Sequence, residues 1–195
     1  MSASLDQACT PGAFSLSVPG TEVVFLEATW TTGYNTTVAA GARYTGPHAD
    51  PVDAGFCNVT VQYIHPGEND HVITVEAWLP PDESWNQRFQ AVGGGGWNAG
   101  RSYFGRQAMS EAIADGFATI VTDAGLGETA DIADWALIRP GEVDMIALKN
   151  LGYQSLEDEV GTPPNPPTPL HIPPLLVHIK CSFSADLCRH CLARH

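Results

Sequence analysis

The chain has 195 residues, of which 44% are hydrophobic and 16% charged, and its formal net charge is −13. This length allows one domain with a substantial core, and the composition is that of a globular protein. The acidic excess leaves no basic surface for a phosphate backbone or an anionic membrane, so we expect neither nucleic acid nor a membrane as a partner.

Two segments, residues 59–63 and 73–79, alternate apolar and polar side chains with the period of half-buried strands. The turn-forming residues 65–70 between them predict that the two strands pair as a hairpin. A third short strand, residues 88–92, leads directly into the glycine run Gly93–Gly96.

A helix is predicted from about residue 104 to residue 115, because Met109, Ala112 and Ile113 fall on one face. Gly116 stands where a C-terminal cap is expected. The apolar run 117–121 that follows is typical of a buried parallel strand.

A second helix is predicted after Pro140, with Val143, Ile146, Ala147 and Leu151 on one face. The order is antiparallel strands first, then strand, loop, helix, strand and helix. This order predicts an α/β fold in which N-terminal antiparallel strands lead into a mixed, mainly parallel sheet.

The first 160 residues contain two cysteines and two N-glycosylation sequons. Cys9 and Cys57 either form a disulfide, which would close a loop of about 48 residues, or remain buried thiols. The sequons begin at Asn35 and Asn58 and would be used only in a secreted protein. Residues 1–6, however, show neither the basic nor the apolar region of a secretory signal.

The run Gly93–Gly96 is the most informative feature of the sequence. Four consecutive glycines increase the conformational entropy that the chain loses on folding. Their benefit is that a backbone without side chains can approach a ligand closely. In α/β-hydrolases, the loop after the third strand donates an N–H group to the oxyanion hole in this way. A glycine-rich turn without a ligand is an alternative that the pattern leaves open.

A further alternative is a dinucleotide-binding loop, since residues 94–99 match the pattern G-x-G-x-x-G/A. Asp123, which follows the next predicted strand, would then bind a ribose hydroxyl. Two observations count against this interpretation. Gly100 and Gly105 prolong the irregular stretch where the helix should begin, and the motif follows a hairpin rather than a first strand.

A set of ordered motifs is similar to those of the tannase and feruloyl esterase family. In chain order they are Phe56-Cys57, Trp78-Leu79-Pro80, Trp85-Asn86-x-Arg88-Phe89, Gly93–Gly96, Gly116-Phe117-Ala118-Thr119, Thr122-Asp123-Ala124-Gly125 and Trp135-Ala136-Leu137. The similarity covers roughly residues 5–158, so the chain resembles the beginning of that family's catalytic domain.

This resemblance implies an incomplete α/β-hydrolase fold within a secreted serine carboxylic ester hydrolase. The substrates it implies are small phenolic esters, such as gallate or ferulate esters, and it implies no cofactor. It places Gly93, Gly94, Gly95 and Gly96 in an oxyanion loop, and it implies that Cys9 and Cys57 are joined. The oligomeric state is left open.

The chain also departs from the family pattern. The family carries His after its Thr-Asp-x-Gly turn, where this chain has Leu126, and its nucleophile elbow Gly-Cys-Ser-x-Gly-Gly does not occur in the 195 residues. No catalytic residue is therefore assigned, and the chain by itself is expected to be inactive. The alternative is a non-catalytic product that binds a partner or a phenolic ligand.

Residues 161–195 differ in character from residues 1–160. The first 160 residues carry 21 acidic and 6 basic side chains, whereas the last 35 carry one and three, and seven of residues 161–174 are proline. We expect residues 1–160 to form a partial hydrolase domain and 161–195 a disordered tail. The tail is either a proline-rich linker with a short interaction segment or a segment that is not native coding sequence, such as intron read-through or a frameshift. We favour the second interpretation.

Three groups of residues imitate functional sites. Cys181-Ser182 lacks the glycines of a nucleophile elbow. Cys188 and Cys191, with His190 and His195 nearby, fall short of four properly spaced zinc ligands. Asp123, Asp131 and Asp134 lie in turn-like sequence, where aspartate is common. No metal site is therefore expected.

Overall fold

A computed structural model describes residues 9–14, 16, 18, 20–43, 47–68, 71–128 and 131–160. The predicted tail 161–195, with the Cys181-Ser182 and Cys188–Cys191 motifs, lies outside these residues. The described part is built on a five-stranded mixed sheet with the strand order β1-β2-β3-β5-β4. The strands are β1 Glu22–Tyr34, β2 Ala54–Ile64, β3 Ile73–Leu79, β4 Phe89–Val92 and β5 Ala118–Thr122.

The predicted hairpin is confirmed, since β2 and β3 pair antiparallel with Val61 opposite Val75. Strand β5 lies antiparallel to β3 and parallel to β4, with Val92 opposite Val121. The sheet is mixed, as the sequence predicts for the α/β class. In the described residues it is mainly antiparallel rather than mainly parallel, because three of its four strand pairings are antiparallel. In the described residues this β4–β5 pair is the parallel part of the sheet.

Strand β1, which no sequence pattern predicted, is the longest strand in the described residues and pairs antiparallel with β2. Its register shifts between Val23 and Phe25. Because of this bulge, Val23 and then Leu26, Ala28 and Trp30 pack on the core. A strict two-residue alternation is therefore interrupted in the sequence.

One face of the sheet is covered by the N-terminal segment. Cys9, Phe14 and Val18 pack on the buried side chains of the central strands, including Val59 and Val75. A disulfide joins Cys9 to Cys57, whose Cα atoms are 5.6 Å apart. The bond is the one that the family resemblance implies, and it attaches the N-terminal segment to the sheet.

The other face is covered by helix α1, Tyr103–Ala114. Its Met109 and Ile113 pack on Phe56, Trp78 and Val121, so the predicted buried face is confirmed. Ser102 caps its N-terminus by accepting from the Gly105 N–H. Gly116 follows the helix with φ of 78°, as its predicted capping role requires.

The segment after residue 131 contains short elements. They are helix α2 Ile132–Trp135, the two-stranded sheet of β6 Leu137–Arg139 and β7 Glu142–Val143, helix α3 Met145–Lys149, a π-helical turn Asn150–Gln154 and helix α4 Ser155–Val160. No helix in the described part of the chain has the length and apolarity that crossing a bilayer requires.

The predicted helix face beginning at Val143 is wrong, because Val143 belongs to β7 and is exposed. The helix begins two residues later, since the Asp144 carboxylate accepts from the N–H groups of Ile146 and Ala147 at 3.0 and 2.9 Å. The π-helical turn then displaces Leu151 from the α-helical period on which the prediction was based.

Candidate functional site

The loops that follow β4 and β5 lie at one edge of the sheet. Because these two strands are parallel, their carboxyl ends point the same way, and ligands of open α/β sheets bind at such an edge. The Arg101 N–H donates to the Thr122 carbonyl oxygen at 2.8 Å, which ties the two loops together. The candidate site, defined as residues 93–102 with residues 122–128, is built from both loops.

The glycine run forms an exposed turn at this edge. Gly93–Gly96 are all exposed, and the Asn98 N–H donates to the Gly95 carbonyl oxygen at 3.2 Å. Gly96 has φ of 63°, a conformation that glycine adopts with little strain. The run therefore ends in a tight reverse turn that presents Trp97.

The fold itself requires only some of these glycines. A Cβ at Gly94 would stand 2.0 Å from the Asn98 carbonyl oxygen, and a Cβ at Gly100 would stand 2.4 Å from the Val92 carbonyl oxygen. By contrast, a Cβ at Gly93 or Gly95 would meet no atom within 4 Å, and neither residue has positive φ. Neither a neighbouring atom nor the backbone conformation accounts for glycine at positions 93 and 95.

The turn after β5 is held by Asp123, which is buried. Its Oδ1 accepts from the Thr74 N–H at 2.8 Å and from the Gly125 N–H at 2.7 Å. Ala124 is held with φ of 55°, and its N–H donates to the Thr122 hydroxyl. This carboxylate therefore shapes the turn.

These observations remove the dinucleotide interpretation. Asp123 is 4% exposed and engaged with backbone N–H groups, so it is not presented to a ribose. Helix α1 begins at Tyr103, beyond the glycine run, so its N-terminus does not meet the loop as a pyrophosphate site requires. Gly100 and Gly105 instead allow the close approach of α1 to the loop.

A network of four charged side chains, for which the sequence shows no local pattern, lies beside the loop. The buried Glu76 accepts from Arg101 Nε at 3.1 Å and from the Trp78 indole N–H at 2.9 Å. Glu128 binds both Arg101 and Arg106. The two arginines thus join the centre of the sheet to the loop that follows β5.

The charges of this network support one another. The hydrogen bond to Glu128 is the main cause that raises the pKa of Arg106. The same bond is the main cause that lowers the pKa of Glu128, while burial acts in the opposite direction. Carboxylates pair with both arginines, so the network is a structural clamp. Its residues are spread over 52 positions of the chain, and they therefore form no local sequence pattern.

Two tryptophans meet at the same edge. Trp97, on the loop after β4, is 57% exposed, whereas Trp135, at the end of α2, is 9% exposed. Their ring centroids are 6.3 Å apart with an interplanar angle of 48°. The Trp135 indole N–H finds no acceptor among the described residues, so packing holds this ring.

The remaining predicted residues lie elsewhere. Within the described ranges, no group of three or more His, Cys, Asp or Glu side chains is arranged to hold a metal ion. Asp131 caps α2 by accepting from the Ala133 N–H. Asn35 is exposed, whereas Asn58 is half-buried within β2, between Thr29 and Trp78. Leu126 occupies the turn after β5 and donates its N–H to the Asp123 carbonyl oxygen.

Comparison with known proteins gives a consistent result. The model of the tannase and feruloyl esterase family matches residues 57–160. A "probable feruloyl esterase" of Arthroderma benhamiae is 36% identical over 142 residues, which are 72% of this chain and 25% of the relative. The chain therefore spans about a quarter of the length of this relative.

Solved structures agree with this comparison. The structure of tannin acyl hydrolase from Aspergillus niger superposes with a TM-score of 0.62 and 25% identity, covering 77% of this chain and 27% of that one. Feruloyl esterase B from Aspergillus oryzae gives a TM-score of 0.51 with 20% identity, over 80% of this chain and 28% of that one. The second similarity bears on the fold alone.

Proposed function

The chain belongs to the tannase and feruloyl esterase family, and from this we propose that it supplies the oxyanion loop of a carboxylic ester hydrolase. The proposed substrates are esters of phenolic acids, and the proposed reaction passes through an acyl-enzyme on a serine nucleophile. The named relatives, a probable feruloyl esterase and a solved tannin acyl hydrolase, support this class of substrate.

The observation that carries this proposal is the pair of glycines that the fold does not require. At Gly93 and Gly95 a Cβ atom would fit without contact and without backbone strain. Glycine at such positions costs conformational entropy on folding, and a ligand that approaches the backbone would account for that cost. In ester hydrolysis this ligand is the tetrahedral intermediate, whose oxyanion accepts hydrogen bonds from loop N–H groups.

The position of the loop supports the same role. Gly93–Gly96 follow directly after β4, at the carboxyl edge of the parallel pair. Arg101 and Ser102 hold the far end of the loop through the Thr122 carbonyl and the start of α1. An oxyanion hole requires donors that are fixed before the reaction begins, and this anchoring at both ends supplies that rigidity.

We propose that residues 1–195 alone do not hydrolyse esters, because they contain no Gly-Cys-Ser-x-Gly-Gly elbow. The test is a chimera in which residues 9–160 replace the matching segment of the Arthroderma benhamiae relative. We expect the chimera to hydrolyse methyl ferulate and to be inhibited by a serine-reactive phosphonate, and the 195-residue chain to do neither. A soluble, folded chimera without esterase activity would refute the proposal.

We also propose that the protein matures in an oxidising, secretory compartment. The Cys9–Cys57 disulfide supports this, because such bonds are rare in the cytosol. Of the two sequons, Asn35 is exposed while Asn58 lies half-buried in the sheet, which favours a glycan at Asn35. Secretion from yeast followed by N-glycosidase treatment tests this: Asn35→Gln, and not Asn58→Gln, should abolish the mass shift.

A further inference from the structure

Trp97 is a large apolar side chain in an unusual place. It lies directly after the glycine run, on a reverse turn closed by the Gly95–Asn98 hydrogen bond, and 57% of it is exposed. An exposed tryptophan costs free energy in water, because most of its surface is apolar. Its position on a loop beside the proposed site indicates that Trp97 takes part in binding a ligand.

The ring of Trp97 is also supported from one side. Trp135, which is 9% exposed, lies 6.3 Å from it between ring centroids. Trp97 comes from the loop after β4 and Trp135 from the segment after β5, so both parallel strands contribute. A ring braced in this way loses less side-chain freedom on binding a ligand than a free ring would.

The charges around the loop restrict the kind of ligand. Arg101 and Arg106, the cations next to it, already pair with Glu76 and Glu128. These matched charges do not favour a carboxylate or a phosphate as the group that Trp97 contacts. A neutral aromatic ring, by contrast, stacks favourably on an exposed indole face.

We infer that Trp97 is the platform on which the aromatic ring of the ester stacks, and that it selects aromatic over aliphatic esters. This inference rests on the proposed function, since it takes Gly93–Gly96 as the place where the ester group binds. The two neighbouring features would then bind different parts of the substrate. The glycines would bind the ester carbonyl, and Trp97 would bind the aromatic ring.

The test is a binding experiment with the 195-residue chain, which needs no nucleophile. The five tryptophans give five indole N–H signals in ¹H–¹⁵N spectra, and Trp97→Phe assigns the signal of Trp97. We expect methyl ferulate to shift the Trp97 and Trp135 signals. Methyl 3-cyclohexylpropanoate, an aliphatic ester of similar size, should shift them at least about fivefold less at equal concentration.

Variants give the decisive comparison. We expect Trp97→Ala to raise the Kd for methyl ferulate at least about fivefold, and Trp97→Phe to stay within about twofold of the wild type. Phe104→Ala is the matched control, because Phe104 is 74% exposed and contacts Tyr103 on the first turn of α1. The Kd of the Phe104→Ala variant for methyl ferulate should equal that of the wild type.

Three results of the ester titrations would overturn the inference. They are an unchanged Kd in Trp97→Ala, a loss of binding in Phe104→Ala instead, and no signal shift in the folded wild-type chain up to the solubility limit of methyl ferulate. A shift that depends on protein concentration without added ester would assign the surface to a second copy of the chain, and would also overturn it. If binding is weakened in Trp97→Ala but not in Trp97→Phe or Phe104→Ala, and the chimera is inactive, the esterase proposal would be refuted. The role of Trp97 in binding an aromatic ring would still be supported.

Discussion

Arg101 donates from its Nε to Glu76 Oε2 at 3.1 Å, and this contact joins the end of the glycine loop to the centre of the sheet. Glu76 is 5% exposed, so its charge depends on its arginine partners for compensation. Because Arg101 also donates its backbone N–H to Thr122, the residue is fixed at two points. The rigidity of the candidate site is thus coupled to the stability of the fold.

Replacing Arg101 by alanine should lower the free energy of unfolding by about 2 kcal/mol, because a buried carboxylate then loses a hydrogen bond from its closest cation. Arg106, whose Nε lies 4.0 Å from Glu76, compensates in part. Arg139→Ala is the control, since its pair with Glu142 is exposed and such pairs contribute about 0–1 kcal/mol. Equal losses for both variants in urea unfolding would contradict the structural role of Arg101.

The glycines should divide into two groups when each is replaced by alanine. Gly94→Ala and Gly105→Ala should destabilise the fold by about 1–3 kcal/mol or more, because their Cβ atoms would stand 2.0 and 1.8 Å from carbonyl oxygens. Gly93→Ala and Gly95→Ala should not destabilise the fold and should raise its stability by up to about 1 kcal/mol, because alanine lowers the entropy of the unfolded chain. Thermal unfolding of the four variants measures this, and a destabilised Gly95→Ala would show that the fold requires that glycine.

Removal of the disulfide should lower stability by about 4 kcal/mol, since its two cysteines are 48 positions apart and the bond restricts the unfolded chain. Cys9→Ser with Cys57→Ser tests this in denaturant unfolding, with the reduced wild-type chain as comparison. A loss below about 1 kcal/mol would mean that the N-terminal segment is held on the sheet by Phe14 and Val18 rather than by the bond.

Stability should decrease as the pH rises above 5. Burial raises the pKa of the Glu159 carboxyl to about 8, whereas an unfolded glutamic acid titrates at about 4.3. Between these values the folded chain holds a proton that the unfolded chain releases. The free energy of unfolding should therefore fall by on the order of 5 kcal/mol as the pH rises through this range.

Glu159→Gln separates this effect from other titrations, because glutamine keeps the shape and stays neutral. We expect this variant to lose stability with rising pH less steeply than the wild type. Glu157→Gln, an exposed position on the same helix, should follow the wild type. Parallel curves for all three proteins between pH 5 and pH 8 would exclude Glu159 as the cause.

Much of the fold could be predicted from local patterns. Alternation predicted β2 and β3, and the 3.6-residue period predicted the buried face of α1 with its Met109 and Ile113. β1 was missed because the bulge after Val23 changes which side chains face the core. The helix after Pro140 was misplaced because a period cannot show that Asp144 is a cap.

Only the part of the candidate site that is contiguous in the sequence could be predicted. Gly93–Gly96 stand together in the sequence, so the loop was recognisable as a unit. Glu76, Arg101 and Glu128 are brought together only by strand pairing, and no local pattern indicates such a network. Likewise, the distinction between Gly94 and Gly95 depends on a carbonyl oxygen whose position the sequence does not show.

The most direct test of the oxyanion-loop proposal uses alanine variants of the esterase chimera. Gly93→Ala and Gly95→Ala should each lower kcat/KM for methyl ferulate at least about tenfold without a loss of thermal stability, because a methyl group would occupy the space of the bound ester. Gly12→Ala, also at a position with open space, should retain wild-type kcat/KM. Full activity in both loop variants would contradict the proposal that Gly93–Gly96 bind the oxyanion.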